Sequence, residues 1–352
     1  MVHKFRNIAN MKVVGLLLLT GFSAVFASEQ LWMELMSAQI VNADGDVANA
    51  DKNIPQLATD LGLKTLVTLV KKAGLVDALS GTGPFTVFGP TDDAFSKLPK
   101  PFVDFLLKNV TVLADILKYH VANGKVLSKD LKNDELVPSL LGSDIRINIY
   151  KNGEIITASG RQVTLPDQEA SNGVIHEVGG VLFPPPGTIT SVVKKCPVFS
   201  TLLKAVGAAP GIAGTLDGKG PFTLFAPSDK AFAKIPEKCL DALLKNTTLL
   251  TKVLEYHVVP STMYSAGLSC GDKLKTVEGG DVKVTKVFGR TWINRSRVTY
   301  ADGTTTNGVI HVINRVLFPR CANDICGDAY ADDDNDNKEN ADENIFKAFF
   351  SN

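Results

Sequence analysis

The chain contains one thirteen-residue block twice, GPFTVFGPTDDAF at residues 83–95 and GPFTLFAPSDKAF at residues 220–232. Phe85 pairs with Phe222 at an offset of 137, and the offset persists from Asp92 and Asp229 to Tyr119-His120 and Tyr256-His257. Equal spacing over that stretch requires helices of equal length in the two copies. Further on, SNGVIHEVGGVLFPP and TNGVIHVINRVLFPR align at an offset of 135, so the intervening loops differ by two residues. A period this long is too large for a solenoid unit, and each copy is expected to fold around its own core.

Within a copy the hydrophobic pattern changes period. LKTLVTLVKKAGLVDALS carries Leu66, Leu69, Val70 and Ala73 at helical spacing, and FSTLLKAVGAA does the same in the second copy. PFTVF alternates, with Phe85 and Val87 on one face and Thr86 and Phe88 on the other, and Pro90 ends the strand. Thr91 or Asp92 is placed to cap the helix that follows, which carries Phe95 inward. KPFVDFLLKN and VTVLADILKYHV predict two further helices. After about Lys125 the pattern turns to strands: DIRINIY, EIITASG and QVTLP, then DVKVTKVFG, TWINRSRVTY and GVIHVINRVLF in the second copy. Helices first and a sheet afterwards make each copy an α+β module. PPPGT, residues 184–188, is a polyproline connector that would fix the spacing between modules.

Thirty-seven basic residues balance thirty-seven acidic ones, so no net field draws the chain to nucleic acid or to an anionic membrane. Lys4, Arg6 and Lys12 precede the apolar run VVGLLLLTGFSAVFA, with Val25 and Ala27 at the small-residue positions of a cleavage site. The expectation is a signal peptide at residues 1–27, a short N-terminal segment at 28–51 and an exported chain without membrane insertion. The run is shorter than the ~20 residues of a bilayer span. Export makes Cys196, Cys239, Cys270, Cys321 and Cys326 disulfide candidates, and all fall in the second half. An odd count leaves one thiol over, free or linking two chains. Cys321 and Cys326 could close a small loop, or either could reach back across the second module. Asn109, Asn246 and Asn294 head glycosylation sequons, the first two at equivalent places in the copies.

The GPFTxFxP(T/S)DxAF, YHV and NGVIHxxxxVLFP blocks, in that order and twice over, resemble the fasciclin domain family. The resemblance covers about residues 52–187 and 188–322. It implies an α+β fold of tandem fasciclin-like domains, each a β-sandwich wedge with helices packed along one edge. It also implies cell or matrix adhesion, with cell-surface receptors or matrix proteins as partners. Tyr119-His120 and Tyr256-His257 match the family's tyrosine-histidine motif, which is proposed to contact integrins. Asp167 and Asp302 fall where a second proposed integrin determinant has an Asp followed by an aliphatic residue, but Gln168 and Gly303 follow them here. RGD does not occur. Read from the residues alone, the histidines sit at the end of an apolar helix, where an imidazole packs and bonds a backbone carbonyl. His176 and His311, in the last strand of each copy, are read the same way.

Two other motifs point to different chemistry. GLSCG, residues 267–271, has the G-x-S-x-G spacing of a hydrolase elbow, with Ser269 as nucleophile and His311 downstream as base. The surrounding turns and strands do not match the strand-turn-helix that motif requires, so no enzyme is expected, and a secreted serine hydrolase is the weaker alternative. Residues 323–352 form an acidic tail expected to be disordered. Within it Asp332, Asp334, Asp336 and Glu343 occupy calcium-loop positions without the turn glycine. Weak calcium binding by that tail, in a mineral- or calcium-associated matrix protein, is the other alternative; no cofactor is otherwise expected. A disulfide-linked or homophilic dimer is a further candidate assembly.

Overall fold

The computed structural model describes residues 51–322. Helix α1 (Ile54–Asp60) starts at Asn53, whose side chain accepts from the Gln56 N–H while the Gln56 side chain accepts from the Asn53 N–H. This reciprocal box satisfies two donors that a helix start leaves free. Helices α2 (Lys64–Lys72) and α3 (Val76–Ser80) follow, then β1 (Phe85–Pro90), α4 (Asp92–Ser96), α5 (Lys100–Lys108) and α6 (Val110–Tyr119). Thr91 caps α4, its hydroxyl accepting from the Ala94 N–H. Asp92 instead caps α2, accepting from the Thr65 N–H at 2.8 Å. The two polar residues after the strand therefore serve two helices.

The rest of the first module is β2 (Val121–Asn123), β3 (Glu135–Pro138), β4 (Asp144–Tyr150), β5 (Ile155–Ala158), β6 (Arg161–Ala170) and β7 (Gly173–Val178). They form one seven-stranded sheet in the order β2-β1-β7-β6-β5-β4-β3. β1 and β7 run parallel, and the other pairs are antiparallel. Register shifts in β6, at Val163/Leu165 and Leu165/Gln168, bend the sheet back on itself. A bridge from Ala122 to Ser139 brings its two ends together.

The folded sheet encloses Phe88, Tyr119, Ile145, Ile147, Ala158 and Val178. On its outer side the helices cover a second layer, including Leu57, Leu66, Val87, Leu117 and Ile175. β1 feeds both layers because alternate residues face opposite sides, as the sequence pattern predicts. Thr86 turns with Phe88, and Phe85 with Val87. Phe95 is half-buried between the helical layers.

The second module repeats the plan with α7 (Ile189–Lys195), α8 (Ser200–Ala208), α9 (Pro210–Leu216), β8 (Phe222–Pro227), α10 (Asp229–Phe232), α11 (Glu237–Lys245) and α12 (Thr247–Tyr256). Its strands are β9 (Val258–Val259), β10 (Lys273–Lys275), β11 (Asp281–Val287), β12 (Arg290–Ile293), β13 (Ser296–Thr305) and β14 (Gly308–Ile313), in the order β10-β11-β12-β13-β14-β8-β9. One buried asparagine locks each module. Asn172 accepts from the Ile54 N–H and donates to the carbonyls of Leu79 and Gly81; Asn307 does the same with Ile189, Leu216 and Gly218.

Residues 184–188 are half-buried, and the Thr306 N–H donates to the Gly187 carbonyl at 2.9 Å. The modules are not held apart by this connector; they pack on one another. The Tyr150 hydroxyl donates to the Thr262 carbonyl at 3.1 Å and accepts from the Tyr264 N–H at 3.0 Å. Tyr264 is fully buried, and its hydroxyl donates to Thr304, whose own hydroxyl donates to the Ser159 carbonyl. The Arg146 guanidinium bonds the Thr306 carbonyl at 3.0 Å and Asp134 at 3.4 Å. Each tyrosine ring lies against a glycine of the other module. A Cβ on Gly160 would meet the Tyr264 ring at 2.4 Å, and one on Gly267 the Tyr150 ring at 2.5 Å.

Candidate functional site

The tyrosine-histidine pairs are interior. Helix α6 delivers Tyr119 into the folded sheet, where its hydroxyl donates to the Asp144 carbonyl at 3.0 Å and meets the Ser159 hydroxyl at 2.9 Å. Burial raises its pKa to about 12. In the second module the Tyr256 hydroxyl donates to the Asp281 carbonyl at 2.8 Å. His120 spends both ring nitrogens: Nδ1 donates to the Ile116 carbonyl at 2.8 Å and Nε2 accepts from the Leu182 N–H at 2.9 Å. His257 does the same with Val253 and Leu317. Burial lowers both imidazoles to about 4, so they stay neutral. Neither pair offers a partner a free surface; an imidazole bonded on both sides clamps the helix end to the chain after the last strand.

Asp167 and Asp302 lie in the bulges of β6 and β13, with left-handed φ values of 58° and 66°. Asp167 accepts from the Ser128 N–H at 2.7 Å and from the Ser128 hydroxyl. Asp302 accepts from the Ser265 N–H at 2.7 Å and from the Ser265 hydroxyl. The Asp167 N–H donates to Nδ1 of His176, whose Nε2 donates to the Val126 carbonyl. His311 repeats this with Asp302 and Met263. Burial lowers the pKa of both histidines. The two carboxylates thus fasten loops to bulged strands and are occupied from within.

Ser269 follows a turn, not a strand, and its N–H donates to the Asp272 carboxylate. His311 has no ring nitrogen left to act as its base, so the hydrolase constellation is not assembled. Cys270 and Cys321 are exposed free thiols, Cys196 is buried and Cys239 is disulfide-bonded. With Cys321 free, the loop to Cys326 is not closed. Cys326, the signal segment and the calcium-loop residues Asp332, Asp334, Asp336 and Glu343 lie outside the described residues. Among the described residues no cluster of three or more metal-ligating side chains occurs, and no helix is long and apolar enough to cross a membrane.

All three sequon asparagines are exposed. Asn109 donates its Nδ2 to the Phe105 carbonyl and Asn294 donates its Nδ2 to the Tyr256 hydroxyl, whereas Asn246 uses only Oδ1, accepting from the Leu249 N–H. Nδ2 is the atom a glycan takes, so Asn246 presents it with the least rearrangement.

The modules part company at one hairpin. β4 and β5 are joined by Lys151, Asn152, Gly153 and Glu154, all exposed. β11 and β12 are joined by Phe288 and Gly289 alone. Phe288 is 99% exposed and has φ 49°, followed by Gly289 at 74°. Two positive φ values are the signature of a type I′ turn, which favours Asn or Asp at the first place. A bulky aromatic held there is an outlier that costs free energy and gains no packing. Val287 beside it is 42% exposed, and Lys286 and Arg290 flank the tip. VFGR in the sequence carried the signal, since a two-residue turn ending in Gly needs a left-handed residue before it.

The family model described as Fasciclin domain matches residues 61–184 and 197–319. Transforming growth factor-beta-induced protein ig-h3 of Sus scrofa is 34% identical over 247 residues, covering 69% of this chain and 36% of the relative. Periostin of Homo sapiens is 30% identical over 254 residues, covering 71% and 30%. Protein sll1735 of Synechocystis, itself uncharacterized, is 45% identical over 131 residues, covering 37% of this chain and 96% of that protein. The chain therefore spans about a third of the length of these two animal relatives. The solved FAS1 domain pair from the insect cell adhesion molecule fasciclin I aligns with 75% of this chain at 20% identity and a TM-score of 0.37.

Proposed function

The chain belongs to the fasciclin domain family, and from that premise we propose that it is a secreted adhesion protein of the extracellular matrix or cell surface. It works by protein recognition and not by catalysis. The domain limits 52–187 and 188–322, the signal peptide and the glycans at Asn109, Asn246 and Asn294 belong to this proposal. The observation that carries it is the tip at Phe288. An aromatic side chain wholly in water, on a turn that disfavours it, is what a contact residue looks like before its partner arrives.

Aromatic anchors flanked by polar residues dominate binding energy at protein interfaces. Lys286 and Arg290 supply such a rim, and they favour a receptor or matrix protein with an acidic margin around an apolar pocket. Integrin contact through Tyr119, His120, Tyr256 and His257 is not part of the reading, because those side chains are consumed inside the fold. The packed modules would present this tip in a fixed orientation. The exposed thiols of Cys270 and Cys321 are where a disulfide-linked pair of chains would form.

The test is attachment of cells and capture of matrix proteins by the immobilised chain, comparing wild type with Phe288→Asn and with a Tyr119→Phe control. Loss with the first and retention with the second is the expected outcome. Unchanged attachment with Phe288→Asn refutes the assignment of the tip.

A further inference from the structure

The first module contains an apolar cavity of about 230 Å³ between its outer helices and the sheet, and the equivalent space in the second module is about 10 Å³. The two spaces are built from matching positions. Leu66, Val70, Leu79, Leu117 and His120 in the first correspond to Leu202, Val206, Leu216, Leu254 and His257 in the second. Two positions differ in a way that explains the filling: Ala58 on α1 becomes Val193 on α7, and Val87 on β1 becomes Leu224 on β8. Ile212, on the longer α9, enters the second space as well. One fold has therefore been closed in one copy and left open in the other.

An interior packs to near-crystalline density, and voids of this size are rare in it. A dry apolar cavity of about 150 Å³ takes a benzene molecule, so about 230 Å³ has room for roughly nine carbons by the same scaling. The walls offer nothing to a polar ligand. His120 lines the space, but both its nitrogens are bonded elsewhere. Polar groups occur only where exposed residues line it: Gln56 and Thr59 on α1, and Lys71 near the end of α2. Gln56 and Thr59 are already engaged within α1, by Asn53 and by the Pro55 carbonyl. Among the described residues Lys71 has no carboxylate partner. In the second module Gly207 replaces Lys71, so the cation is lost together with the space.

We infer that the first module binds a single-chain anionic amphiphile of medium length, its hydrocarbon chain in the cavity and its carboxylate at Lys71. This site is separate from the adhesion reading and stands or falls without it. The experiment is calorimetric titration of the full chain with nonanoate and with nonanol, repeated on an Ala58→Val, Val87→Leu double variant and on Lys71→Gln. Wild type should bind the acid, and the double variant, which installs the second module's own residues, should bind at least tenfold more weakly. Lys71→Gln should weaken the acid severalfold and leave the alcohol unchanged. The double variant is expected to keep or raise its melting temperature, which separates loss of the site from loss of the fold. No heat with either ligand, or equal affinity in the double variant, overturns the site. Equal response of acid and alcohol to Lys71→Gln overturns the head-group assignment.

Discussion

Replacing Phe288 by Asn should stabilise the protein while it removes the proposed contact. The side chain is 99% exposed, so nothing is lost from the core when it goes. What changes is the backbone, where φ is 49° at residue 288 and 74° at Gly289, between the paired ends Val287 and Arg290. Left-handed geometry costs an ordinary L-residue about 1 to 2 kcal/mol, and Asn escapes much of that cost. The expected gain is therefore about 1 kcal/mol. For a domain of this size that raises the melting temperature by about 4 °C. Differential scanning calorimetry of the wild type, Phe288→Asn and Phe288→Leu checks it, because Leu keeps the strain and should show no gain. A variant no more stable than wild type would refute the claim that the turn stores strain, and with it the reason for calling Phe288 a contact residue.

Acid should loosen both modules together. His120 and His257 titrate near 4 when folded and at the ordinary 6.5 when unfolded, so the unfolded chain binds more protons between those values. Their contribution is complete above pH 6.5 and falls as pH drops toward 4, by about 2 kcal/mol per module at pH 5; urea midpoints that match at pH 7 and pH 5 would contradict it. Asn172→Ala strands the Ile54 N–H and the Leu79 and Gly81 carbonyls and should cost the first module about 3 kcal/mol. Hydrogen exchange should then show α1 opening first. Tyr150→Phe removes the hydroxyl shared by Thr262 and Tyr264, weakens the module contact by about 1 to 2 kcal/mol, and should make residues 184–188 easier to cleave in limited proteolysis.

The repeat made the fold legible because local rules and the global plan agreed: alternation in β1, a cap at Thr91 and strands after the helices. Asp92 shows the limit. A short acidic side chain after a strand reads as a cap for its own helix, yet it caps α2, twenty-seven positions upstream. In the sequence Asn172 is one letter of a repeated block, and only the fold reveals its three bonds to elements far apart in sequence. The contact between modules was hidden for a related reason. Gly160 and Gly267 are ordinary turn glycines until Tyr264 and Tyr150 are seen resting on them. The tyrosine-histidine and aspartate positions stand out in the sequence because both copies carry them. For the histidines the carbonyl bond at a helix end is legible; the loops that Asp167 and Asp302 fasten are not, because a side chain kept for packing and one kept for binding look alike in a string of letters.

The parallel pairing of β1 with β7 has a mechanical corollary. Chain enters the first module beside Asn172, at the start of β7, and leaves from the far end of the same strand. Tension between entry and exit pulls β7 along its own length. It is gripped by six residue pairs to β1 on one flank and five to β6 on the other. Bonds that cross a strand are loaded sideways by such a pull, so they resist as a group and cannot be peeled off singly. The second module has the same arrangement around β14. A molecule strung between two surfaces would stretch little until a whole strand slid free, and then yield abruptly.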